Sequence, residues 1–156
     1  MENPKTSRRD FCAHAISFVT VASLIDGCGG GNPNSPDGGG GGGVTQLATV
    51  SATTSGNQVT VANVSGSALA NPGSAALVEA GNSRFLVTRS GDSFTALTAI
   101  CTHEQNIING TAQGTFVCPA HGSRFTTTGS VAQGPATRSL QTFPTAFTNN
   151  VLTITT

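Results

Sequence analysis

The chain has 156 residues, with seven Lys or Arg against seven Asp or Glu, a formal net charge of zero and only 9% charged residues. That balance leaves no basic patch of the kind nucleic acid requires and no strong field to steer a charged partner. The length suits one modest core with flanking segments.

The first stretch reads as an export signal over residues 1–27. Ser7-Arg8-Arg9-Asp10-Phe11 resembles the twin-arginine consensus, with two adjacent arginines and a large apolar residue two positions on. The mostly apolar run from Phe11 to Ile25 is about 15 residues long, whereas a spanning helix needs roughly 20. A positive start and a short apolar run mark a signal peptide. Gly27-Cys28 looks like a bacterial lipoprotein processing site, although Asp26 departs from the usual small or apolar residue there. Cys28 is the expected lipidation site.

Residues 28–43 are low in complexity, with Gly29-Gly30-Gly31 and an unbroken run from Gly38 to Gly43. Such a segment buries no core and is expected to be a flexible tether. At about 5–6 Å times √n its root-mean-square span is roughly 20–24 Å.

Residues 44–156 are expected to form one all-β domain. Short apolar or alternating runs recur between turn residues and predict strands at Gln58–Val64, Ala76–Glu79, Arg84–Arg89, Phe94–Ile100, Thr115–Val117, Ser123–Thr127, Ser139–Phe143 and Val151–Thr155. Turns are predicted at Gly81-Asn82, Ser90-Gly91-Asp92, Asn109-Gly110, Thr128-Gly129 and Asn149-Asn150. No segment carries a convincing helical period.

Two motifs carry chemistry: Cys101-Thr102-His103 and Cys118-Pro119-Ala120-His121. Each follows a predicted strand, which places both on loops at one tip. Together they use every Cys and His of residues 44–156, so none remains for a nucleophile–base pair or for a mononuclear iron site with two His and a carboxylate. No independent catalytic site is expected. Two Cys and two His suit a two-iron, two-sulfur cluster with Cys on one iron and His on the other. They also allow structural zinc, though the one-residue gap of the first pair is tight for a zinc finger. A Cys101–Cys118 disulfide with two bystander His is a third reading.

The run Cys118-Pro119-Ala120-His121-Gly122-Ser123-Arg124-Phe125, with the first motif, resembles the Rieske iron-sulfur proteins over roughly the last half of the chain. The resemblance implies an antiparallel sheet body capped by a small cluster-binding subdomain. It also implies a 2Fe-2S cluster on Cys101, His103, Cys118 and His121, and one-electron transfer. Gly134-Pro135-Ala136 resembles the proline loop that shields the cluster in that family. The pattern departs from the cytochrome bc type. Asn106 and Ala120 stand where that type carries a disulfide, Phe125 replaces a Tyr that hydrogen-bonds a ligand sulfur, and Glu104 replaces an apolar residue over the cluster. Ser123 is retained as a donor to a bridging sulfide. Ser123, Phe125 and Glu104 are therefore the expected tuning residues. The implied partner is a redox protein or a larger oxidoreductase subunit, with a lipid tether to a membrane on the periplasmic side. The alternative is the Rieske subunit of a quinol–cytochrome c reductase, with quinol as reductant.

Overall fold

The computed structural model describes residues 43–156. The expected signal peptide, with Arg8, Arg9 and Cys28, and the tether up to residue 42 lie outside the described residues. Among the described residues the chain forms fourteen strands and one 3-10 turn at Val64–Gly66. No helix there is long and apolar enough to cross a membrane.

Three sheets result. The central one is built from β2 (Ala48–Ser51), β5 (Ala75–Ala80), β6 (Ser83–Ser90), β7 (Ser93–Thr98) and β12 (Thr142–Phe143), in the order β12-β7-β6-β5-β2. A second contains β3 (Thr53–Ser55), β4 (Gln58–Val61), β13 (Thr145–Thr148) and β14 (Val151–Thr155), in the order β13-β14-β4-β3. The third contains β1 (Thr45–Gln46), β8 (Gly110–Ala112), β9 (Thr115–Val117), β10 (Arg124–Phe125) and β11 (Val131–Gln133), in that order. All pairings are antiparallel except β2 with β5, which is parallel.

The central sheet is buried on both faces, and its alternating side chains serve two cores. Ala76, Val78, Phe85, Val87, Phe94 and Ala96 point to one core, where they meet Val59, Val61, Leu152 and Ile154 of the second sheet. Leu77, Leu86 and Leu97 point to the other, where they meet Ile108, Phe116, Phe125 and the two cysteines. A strand covered on both sides needs a near-continuous apolar run, which β5 and β6 supply. The one-sided strand β14 alternates, with Leu152 and Ile154 buried between half-buried neighbours. Each large side chain fully buried this way contributes about 1.5–3 kcal/mol.

The eight predicted strands are all present, several of them shorter. Gln58–Val64 stops at Val61 and turns into the 3-10 segment, Phe94–Ile100 stops at Thr98, and Ser123–Thr127 and Ser139–Phe143 shrink to two residues each. The Asn149-Asn150 turn is confirmed, with φ of 50° and 64°, both in the left-handed region that a two-residue hairpin of this twist requires. The expected turn at Asn109-Gly110 is not there. Gly110 lies inside β8 between Gln46 and Val117, and the turn falls at Gln113-Gly114, with φ of 51° and 72°. A Cβ on Gly110 would stand 2.6 Å from Val44 Cγ1, so the glycine serves the close approach of β1.

Candidate metal centre

Both ligand motifs sit on loops closed by the same pair of backbone hydrogen bonds. In the first loop the Cys101 N–H donates to Asn106 O at 2.8 Å and the Gln105 N–H donates to Cys101 O at 2.9 Å. In the second the Cys118 N–H donates to Ser123 O at 2.9 Å and the Gly122 N–H donates to Cys118 O at 3.0 Å. Each loop thus returns five residues after its cysteine, and each has positive φ four residues after it: 56° at Gln105 and 72° at Gly122. An Ile100–Ile107 bridge closes the base of the first loop. The second leaves β9 and re-enters the sheet as β10.

A third segment ties the two loops together. The Ala136 N–H donates to Ser123 Oγ at 3.0 Å, and Thr102 Oγ1 donates to Arg138 O at 2.6 Å. This segment contains Gly134-Pro135-Ala136, whose Gly134–Pro135 bond is cis. Through these bonds the third segment is tied to both loops.

The structure brings Cys101, His103, Cys118 and His121 to this one tip, with a clear polarity. Cys101 and Cys118 are 1% and 2% exposed, part of the inner core, and both are free thiols. His103 and His121 are exposed, with ring centroids 5.0 Å apart and planes nearly perpendicular. Burial pushes the Cys118 thiol above its ordinary value of 9.0. A hydrogen bond with the Cys101 thiol adds to that, while the backbone at Ala120 and His121 pulls the other way. A buried thiol that holds its proton in this way would give it up to a cationic metal.

The expected tuning residues divide by depth. Ser123 and Phe125 are fully buried beneath the loops, Phe125 in the same core as the cysteines. Ser123 Oγ already accepts from Ala136, so its own proton remains to be donated. Glu104 is exposed and faces His121, with Oε2 3.7 Å from Nδ1. Donor atoms of His103, Glu104 and His121 lie within 4.8 Å of one another. Asn106 and Ala120, where the disulfide of the bc type would fall, are both exposed. Sequence reasoning missed Thr102 and Arg138. The position of Thr102 between two ligand-type residues was the available signal for it.

The residues present fit a 2Fe-2S cluster. The set offers two thiolates on the core side, two imidazoles on the solvent side and one buried hydroxyl with a proton to spare. A cluster with one Cys-held and one His-held iron has the same asymmetry.

Comparison with known proteins points the same way. The family model for the Rieske [2Fe-2S] domain matches residues 53–144, more than half of the chain. The cytochrome b6-f complex iron-sulfur subunit 1 of a Nostoc species is 36% identical over 75 residues, covering 45% of this chain and 42% of that one. The cytochrome b6-f complex iron-sulfur subunit of Trichodesmium erythraeum is 46% identical over 46 residues, covering 28% and 25%. The chain spans less than half the length of these curated relatives. Among solved structures, the ferredoxin of carbazole 1,9a-dioxygenase from Nocardioides aromaticivorans superposes with a TM-score of 0.51 at 20% identity, over 64% of this chain and 98% of that one. At that identity the likeness is one of fold.

Proposed function

The chain belongs to the Rieske [2Fe-2S] family, and we propose that Cys101 and Cys118 hold the inner iron of its cluster and His103 and His121 the outer one. The carrying observation is the polarity of the tip, with both thiols buried and both imidazoles exposed. The cluster supplies one-electron transfer, and neutral imidazole ligands raise its potential above that of all-Cys ferredoxins. The protein's own residues do the rest. Ser123, whose hydroxyl proton is free, would donate to the cluster, and Phe125 excludes water beside the cysteines. Glu104 sets negative charge against His121, and the Thr102 and Ala136 hydrogen bonds hold the two loops in register.

On this reading the protein is an electron carrier, exported by the twin-arginine route and tethered through Cys28, or the small subunit of a periplasmic oxidoreductase. The motifs at Arg8-Arg9 and Gly27-Cys28 support the export half of the proposal. A second reading is the Rieske subunit of a quinol-oxidising complex, supported by the names of the curated relatives. The absence of a third and fourth cysteine in the ligand loops favours the first.

Iron and acid-labile sulfide analysis, with the visible spectrum, tests the ligand assignment. Two irons and two sulfides per chain are expected, and replacing any one of the four ligands by Ala should abolish the native spectrum. Zinc without sulfide would refute it. Mass spectrometry of the mature N-terminus tests the tether, and an unmodified terminus away from Cys28 rejects it. Co-purification from native membranes separates the two readings, since a cytochrome b partner would select the second.

A further inference from the structure

An open groove of about 360 Å³ runs beside the first ligand loop, with Ile100, His103, Gln105, Arg138 and Gln141 among its walls. Its charge is unbalanced. Among the described residues two of the three acids face an arginine, Glu79 facing Arg84 at 2.8 Å and Asp92 facing Arg89 at 3.6 Å, and the third, Glu104, lies 3.7 Å from the His121 ring. Arg124 donates to Gln113. Arg138 is the one arginine there whose guanidinium makes neither an ion pair nor a hydrogen bond with a described residue, and no acid lines the groove with it. Its backbone is held at the groove, because its carbonyl accepts from Thr102 in the ligand loop. Ile100, 37% exposed, lines the groove too and is one of two large apolar side chains the domain leaves in solvent.

We propose that this groove is the docking seat of a redox protein that presents a carboxylate, which Arg138 grips while Ile100 supplies the apolar contact beside His103. Arginine offers a planar fork matched to a carboxylate, and it is among the residues enriched at interface hot spots. A protein docked there lies against the exposed imidazole, the solvent side of the centre. The inference rests on the assignment of His103 as a ligand.

The test is a binding measurement in which no electron moves. The holoprotein and two labelled probes, an acidic flavodoxin and a lysine-rich cytochrome c, are all held oxidised, and affinity is read by fluorescence anisotropy at low and at physiological salt. The native visible spectrum is checked first, and its absence from the wild type is failure of the ligand assignment, not of the docking seat. With spectra intact, Arg138→Gln should weaken flavodoxin binding about three- to tenfold at low salt, and less at high salt. Arg124→Gln removes the same charge elsewhere. An equal loss in that variant would reduce the effect to net charge and overturn the proposal. So would an equal change toward both probes, or displacement of flavodoxin by succinate at constant ionic strength, which would make the groove a small-anion site.

Discussion

Replacing Ser123 by Ala should lower both the reduction potential and the stability. The hydroxyl is fully buried and its oxygen is engaged by the Ala136 N–H, which leaves its proton for the cluster. A donor toward a bridging sulfide favours the more negative, reduced state. A net hydrogen bond of about 1–2 kcal/mol to such a group converts to roughly 40–90 mV for one electron, since about 59 mV is a tenfold change in the equilibrium. The same substitution strands the N–H of Ala136, itself 3% exposed, at a cost of about 1–3 kcal/mol. For a domain of this size that lowers Tm by about 3–12 °C. Protein-film voltammetry gives the first number and thermal unfolding of the oxidised holoprotein the second. An unchanged or higher potential with an intact visible spectrum would show that the hydroxyl does not reach the cluster. An unchanged Tm would show that the Ala136 bond is not a cross-link.

Phe125→Tyr should raise the potential by supplying a donor near a ligand sulfur, and a lower Tm with no shift in potential would mean the new hydroxyl is buried without a partner. Thr102→Val removes the 2.6 Å bond to Arg138 O and should cost about 1 kcal/mol and speed loss of the cluster, followed by the bleaching of visible absorbance under chelator. Gly122→Ala keeps open space around the new methyl but places it at φ of +72°, so about 1–2 kcal/mol of backbone strain should appear in denaturant unfolding. In the cluster-free protein the raised pKa of Cys118 means the unfolded chain ionises first. Stability is full below the ordinary value of 9.0 and is lost as pH rises through the higher folded value. Cys118→Ser should flatten that alkaline slope in thermal melts.

The all-β class, the two candidate ligand motifs and most of the hairpins were legible because they are local. Cysteine and histidine spacing is visible in a few residues, and Asn149-Asn150 declares its own turn geometry. What escaped depends on distant pairing. Strand β2, Ala-Thr-Val-Ser, has one buried residue and makes sense only as the parallel neighbour of β5. Asn109-Gly110 carries a turn signature, yet that glycine lies inside β8, where a Cβ would meet Val44. The approach of Glu104 to His121, and of Arg138 to the first ligand loop, joins residues 17 or more positions apart through loops whose path no short window encodes.

The stretch from Thr45 to Ser51 belongs to two sheets at once. Its first two residues pair with β8, Leu47 enters the inner core and donates its N–H to Asn109 O, and the next four residues pair with β5. Residues 1–42 join the domain here, so any tension along the chain from that side is loaded first onto the β1–β8 pairing and then onto Leu47. Strand β8 follows directly from the first ligand loop. A pull from the N-terminal side is therefore borne by the sheet beside the candidate metal centre before it reaches the body, and Leu47 is the rivet between the two.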